Sequence, residues 1–188
     1  MSIFSSDREK ILWRRVFIVL LAIILSLGFA GSLIDWLVDK GLLSAGFFFA
    51  FILVSVAILG SFIKRKLAGV EIWLLLGIIG VYAFLIVRLG ISPIERTHLF
   101  EYGLLAILIK DALAERKAQK AKSISPWLGA FLLTLLIGCL DEGVQYFLPD
   151  RVFDPRDILF NTLAAFMALL AHYLLLWAKA RFSSDKSS

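Results

Sequence analysis

The chain holds a single cysteine, Cys139. That excludes an intrachain disulfide and any cysteine-only metal site, and in its apolar run the thiol reads as a small packing residue. There is no serine or cysteine nucleophile elbow and no glycine-rich loop with phosphate-binding spacing. No spacing is diagnostic of metal ligands, and no internal repeat is visible. Polar residues are in short supply too. At 188 residues, 60% apolar, with a mean hydropathy of +0.88, this is not the composition of a soluble domain. Long uncharged runs of this kind read as membrane spans. The net charge of +5 invites a nucleic-acid reading, but its distribution follows a membrane instead, and no nucleic-acid partner is expected.

Six runs approach the ~20 helical residues needed to cross a hydrocarbon core. They cover 16–37, 42–63, 70–89, 94–113, 126–148 and 155–177. The expected fold is therefore an all-α integral membrane protein, a six-helix bundle. With both termini cytoplasmic, the inner side holds Arg8, Lys10, Arg14 and Arg15, then Lys64, Arg65 and Lys66. It also holds Lys110, Arg116, Lys117, Lys120 and Lys122, then Lys179, Arg181 and Lys186. The outer side keeps only five, Lys40, Arg88, Arg96, Arg151 and Arg156. This asymmetry satisfies the positive-inside rule and requires an even number of spans. Residues 1–15 form a basic cytoplasmic N-terminus, 16–89 three transmembrane helices, 94–177 a second three-helix region and 178–188 a cytoplasmic tail. Gly28-Phe-Ala30 resembles a signal-peptide cleavage site, but the apolar run continues through Leu37, which favours a retained helix. Residues 114–125 read as an extension of the fourth helix into water, ended by Pro126.

Against this apolar background two polar clusters stand out, Glu95 to Tyr102 and Asp141 to Asn161, both assigned to the outer side. Helical spacing sorts them. His98, Glu101 and Tyr102 lie at i, i+3 and i+4, Asp141 and Glu142 each converge on Gln145, and Asp157 and Asn161 are four apart. Counting ~1.5 Å per residue puts Glu101, Asp141 and Asn161 each roughly 9–10 Å inside the outer ends of their helices. Three helices thus offer carboxylates and amides at one level. Charges cost about 2.5–3.5 kcal/mol at mid-membrane, which drives them inward to pair, with Arg96 or Arg151 as counter-ions. Of two close acids, one can hold a proton and serve as a general acid. Plainer roles compete at some positions. Asp154, Pro155 and Asp157 form a helix start, with an N-cap, a proline at the first position and an acid in the first turn. Asp141 and Glu142 have no capping role available, and His172 reads as structural.

The pattern His98-xx-Glu101-Tyr102, Asp141-Glu142-xx-Gln145, Pro149-x-Arg151, Asp157 and Asn161 resembles the VanZ-like membrane proteins over residues 94–170. It departs from the family's tendency in carrying Ala164 where a glycine is usual. The resemblance implies a small helical protein of the bacterial cytoplasmic membrane, in a family named from teicoplanin resistance. One function class is an enzyme acting on a cell-envelope lipid or lipid-linked precursor. Arg96 and Arg151 would grip a phosphate, Asp141 or Glu142 would act as base, His98 and Glu101 as partner or acid, with Asp157 beside them. Tyr102, Gln145 and Asn161 would orient the substrate. A divalent cation on Glu101, Asp141, Glu142 and Asp157 is conceivable, since hard cations take oxygen ligands. The other class is a non-catalytic protein that binds such a lipid, its precursor or a glycopeptide. A transporter is a third, disfavoured by the lack of paired broken helices. The sequence sets no oligomeric state.

Overall fold

The computed structural model describes residues 4–42, 45–46, 49, 52, 69–88, 93–119, 124–147 and 153–182. Its elements are α1 (Asp7–Asp39), α2 (Gly69–Arg88), α3 (Pro93–Gln119), α4 (Pro126–Gln145) and α5 (Pro155–Phe182). Among the described residues regular structure is entirely helical. The run expected at 42–63 falls largely outside them. Among the described residues two helices, Pro126–Gln145 and Pro155–Arg181, are long and apolar enough to cross a membrane.

Prolines open three helices. Pro93, Pro126 and Pro155 each stand first in α3, α4 and α5, where a missing N–H costs nothing. Asp154 caps α5 as expected: its carboxylate accepts the Arg156 amide at 2.8 Å, and its carbonyl accepts that of Asp157 at 3.0 Å. Two boundaries differ from the sequence reading. α1 begins at Asp7, well before the apolar run, because Ser5, Ser6 and Glu9 organise its first turn. α4 stops at Gln145 and closes in a turn through Tyr146 and Phe147, three residues short of the expected end. The extension of α3 beyond its apolar run is present, to Gln119.

Contacts divide the chain into two units. One comprises Met1–Gly31 and Ile94–Leu169, the other Ser32–Pro93 and Leu170–Ser188. In the second, Leu75 of α2 is buried while Ile72, Trp73, Leu76 and Val81 are exposed. Gly77 and Gly80, which the sequence suggests as a close-packing pair, lie open: a Cβ at either would meet nothing within 4 Å among the described residues.

The first unit is built from stripes. On α4 the buried residues are Gly129, Ala130, Thr134, Gly138, Asp141, Glu142 and Gln145, all small or polar. Its exposed face is Leu128, Leu132, Leu136, Leu140 and Val144, repeating every four residues. This is the reverse of a water-soluble helix and suits hydrocarbon outside, with close backbone approach and polar contacts inside. α5 repeats the pattern, burying Asn161, Ala164, Ala165 and Ala168 while exposing Leu159, Leu163 and Phe166. Ala164 is small enough to be wholly enclosed. α3 contributes Leu99, Tyr102, Leu105, Ala106, Ile109 and Ala112 at three- and four-residue intervals. Cys139 lies on the outward face of α4, so it is not the packing residue its apolar setting suggests.

At the far end of α3 from Tyr102, the N-terminal turn is tied down. The Arg116 guanidinium donates to Glu9 at 2.6 Å, and the Trp13 indole N–H donates to the same oxygen at 3.2 Å. The Ser5 amide donates to the other Glu9 oxygen at 2.6 Å, as does the Ser5 hydroxyl. Arg8 pairs with Glu115 at 3.5 Å, and the Ser6 hydroxyl donates to Glu115 at 3.0 Å. Nearby, Lys110 is buried, pairs with Asp111 at 2.5 Å and stands 5.1 Å from the Trp127 ring centroid. Burial pushes the Glu9 carboxyl up, but the Ser5 donors and Arg116 outweigh it and bring it from 4.5 to about 2. A lowered folded pKa stabilises above the unfolded value, and that contribution disappears as pH falls through the folded one. Glu9→Gln should therefore be less stable than wild type at neutral pH. The gap should narrow only below about pH 4.5 and close near pH 2. Denaturation followed by helical circular dichroism across that range checks it; a gap independent of pH would mean the Glu9 charge is not what matters.

Candidate functional site

The polar stripe of α4 meets α3 and α5 near its C-terminal end. The Tyr102 hydroxyl on α3 donates to Asp141 Oδ2 at 2.8 Å. The Gln145 amide donates to both acids, at 3.3 Å to Asp141 Oδ2 and 3.0 Å to Glu142 Oε1. The second Glu142 oxygen accepts the Asp154 backbone amide at 3.4 Å, tying the end of α4 to the start of α5. Asn161 enters from α5: a Cβ built on Gly138 would lie 3.3 Å from Asn161 Cβ and 3.5 Å from Tyr102 Cε1. The absence of a side chain at Gly138 is what lets these three helices converge.

The cluster is closed from its surroundings. Fractional exposure is 0% for Tyr102 and Glu142, 1% for Asn161, 3% for Gln145 and 6% for Asp141. Glu101 and Asp157 are half-buried at its margin. Glu101 is near enough to act electrostatically on Tyr102, and Asp154 and Asp157 on Glu142. Hydrogen bonding to a carboxylate needs donors, and here a phenol, an amide and a backbone N–H supply them. At ~1.5 Å per residue Asp141 sits about 6 Å from the end of α4, shallower than its apolar run implies, because the helix ends at Gln145. Asn161 is about 9 Å into α5.

Of the sequence candidates, the structure thus brings together Tyr102, Asp141, Glu142, Gln145 and Asn161, with Glu101 and Asp157 alongside. Glu95, Arg96 and His98 lie on the backbone of α3, but their side chains fall outside the described residues, as does all of Arg151. Their pairing with the acids is therefore not part of this geometry. Among the described residues no three His, Cys, Asp or Glu side chains group closely enough to hold a metal ion, so the four-carboxylate cation site has no geometric support. Sequence spacing missed Gly138 as a member of the cluster and read Asp154 as a helix cap, which it is, while its backbone amide also joins the cluster. The signal for Gly138 was present: it stands three residues before Asp141, on the same helical face.

Exposed aromatics surround this end of the unit. Tyr146 and Phe147 stack edge to face at 5.3 Å, and Phe153 is exposed just before α5. Of these, Tyr146 has the amphipathic ring that favours a membrane interface.

No curated protein and no solved structure matches the chain. The family model described as VanZ/LLP1 matches residues 8–177, well beyond the C-terminal half in which the motifs lie. The first three apolar runs therefore fall within the same family match as the cluster, and the chain belongs to the VanZ/LLP1 family.

Proposed function

We propose that this membrane protein crosses the bacterial cytoplasmic membrane six times with both termini inside. In this reading its carboxylate cluster faces the outer leaflet and engages a lipid-linked envelope precursor. The basic residues support the orientation, since fifteen of 20 fall on one side. The observation that carries the functional reading is the enclosed Tyr102–Asp141–Gln145–Glu142 network on a helix whose other face is leucine. Helix adhesion alone does not require it. Small residues and neutral amides hold membrane helices together at far lower cost than two carboxylates.

Arg151, two residues beyond Pro149, and Arg96 on α3 supply planar guanidinium forks for a phosphate. Asp141 or Glu142 then serves as base, with His98 and Glu101 as partners, and Gln145 and Asn161 orient the ligand. A non-catalytic pocket is the second reading. It is favoured by the donors that Asp141 and Glu142 already hold, which make the network complete without a reacting group. Either reading leads to teicoplanin tolerance if occupation of the pocket changes the antibiotic's access to its target.

Native mass spectrometry of the gently solubilised protein tests this. Wild type should retain a phosphate-bearing lipid that Arg151→Ala loses. Conversion by wild type with accumulation in Asp141→Asn makes the site catalytic; equal retention without conversion makes it a binding pocket. No bound lipid in any of the three proteins would remove the proposal.

A further inference from the structure

A cavity lies at the opposite end of α3 from the carboxylate cluster. It encloses about 630 Å³ between α1 and α3 and is lined by Arg8, Ile11, Arg15, Asp111, Ala114 and Glu115. Glu115 is thirteen residues from Tyr102, roughly 20 Å along the helix, so the two sites are separate.

The charges in the cavity are unevenly satisfied. Glu115 is held by Arg8 and Ser6, and Asp111 by Lys110. Arg15 makes no ion pair among the described residues and is exposed. The cavity therefore offers a guanidinium to an anion, beside acids already neutralised. From the lining residue Ile11, Ile18 and Leu25 continue at seven-residue steps along the same face of α1 as Arg8 and Arg15, and all three are exposed. Phe17, Leu21 and Ile24 widen this apolar strip. A charged notch continuous with an exposed hydrocarbon-compatible stripe matches an amphiphile: a phosphate at the notch and an acyl chain along the helix. Free phosphate would use only the notch.

We propose that this cavity seats the phosphate headgroup of an anionic membrane phospholipid, with Arg15 as its ligand and the exposed α1 stripe as the bed for one acyl chain. Bound there, the headgroup lies between α1 and α3, the same two helices joined by Glu9 and Arg116. Guanidinium–phosphate contacts are among the stronger charge-assisted hydrogen bonds, and juxtamembrane basic residues attract anionic lipid.

The test uses the full-length purified protein in detergent and titrates dioctanoyl phosphatidylglycerol, dioctanoyl phosphatidylcholine and inorganic phosphate. Wild type is compared with Arg15→Gln and with Arg14→Gln, which removes the same charge from a neighbouring exposed position that does not line the cavity. Phosphatidylglycerol should bind wild type and Arg14→Gln equally, and Arg15→Gln at least about tenfold more weakly. Phosphate alone should neither bind at those concentrations nor compete. Equal weakening in both variants would reduce the effect to general attraction, and full competition by phosphate would make this a free-anion site; either result overturns the proposal. Circular dichroism of Arg15→Gln matching wild type excludes misfolding as the cause of weaker binding.

Discussion

Tyr102→Phe should destabilise the protein by about 1.5–3 kcal/mol, the cost of taking a hydrogen bond from a buried charged acceptor. The phenol is wholly enclosed and its hydroxyl reaches Asp141 at 2.8 Å, while Gln145 reaches the same oxygen at only 3.3 Å. Removing the hydroxyl leaves Asp141 with the weaker donor in a setting where water cannot replace the lost one. Asp141→Asn is expected to behave differently. An asparagine oxygen still accepts from Tyr102 and Gln145, so folding should be retained while charge and proton are lost. Combined with Asp141→Ala, which takes the acceptor away, Tyr102→Phe should couple by more than about 0.5 kcal/mol in a double-mutant cycle, because each change removes the same interaction. Unfolding in mild detergent measures the stabilities, and retained lipid measures the function. Additive stabilities would mean the Tyr102–Asp141 bond does not form. If Asp141→Asn binds its lipid and fails to turn it over, Asp141 moves a proton. If Asp141→Asn is silent and only bulky replacements fail, Asp141 is a wall of a binding pocket.

Much of this cluster is legible in the sequence, and the reason is periodicity. Asp141, Glu142 and Gln145 must converge once the segment is helical, because residues three and four apart share a face. The four- and three-residue spacings that place Asn161 below Asp157 and Ala164 below Asn161 work the same way. Depth counting places Glu101, the neighbour of Tyr102, at the level of Asp141, although it overestimates how far α4 continues. That error arose because Tyr146, Phe147 and Leu148 read as apolar helix, while the structure turns at Tyr146.

What periodicity cannot supply is a partner from elsewhere in the chain. Glu9 and Arg116 are 107 positions apart, and nothing in either local pattern links them. Read alone, each is a charge at a polar helix end, which is ordinarily solvated. Lys110 shows the same limit. Counted by sign it belongs with the flanking basic loop, yet it is buried against Asp111 and Trp127. Its four-carbon stem covers apolar surface while its ammonium finds a ring and a carboxylate, a dual character that hydropathy averages away. Cys139 errs in the other direction. In a membrane protein an apolar setting is as often the outside as the inside, so small size alone does not place a residue in the packing.

That inversion makes Gly138 a sensitive position in the first unit, because what faces it is a backbone-fixed Cβ and a ring. Gly138→Leu should cost about 3 kcal/mol or more, the upper range for forcing carbons into a packed interior. Its first added atom would already lie 3.3 Å from Asn161 Cβ and 3.5 Å from the Tyr102 ring. Asn161 Cβ is fixed to the α5 backbone and cannot swing aside, so α5 must move or Tyr102 must leave Asp141. Gly138→Ala tests the same contact more gently. It gains about 1 kcal/mol of helix propensity, which offsets part of the crowding, and should fall near neutral or slightly destabilising. Gly143→Leu is the control five residues on, where a Cβ meets nothing within 4 Å; there the helix should be unchanged or more stable. Thermal unfolding of the three variants orders them, and lipid retention separates the two ways of yielding. A Gly138→Leu protein that is destabilised and has lost its lipid would mean the three-helix junction and the site are one structure. Destabilisation with the lipid retained would mean α5 shifts while Tyr102, Asp141 and Gln145 stay together, and the ligand is held by α3 and α4 alone.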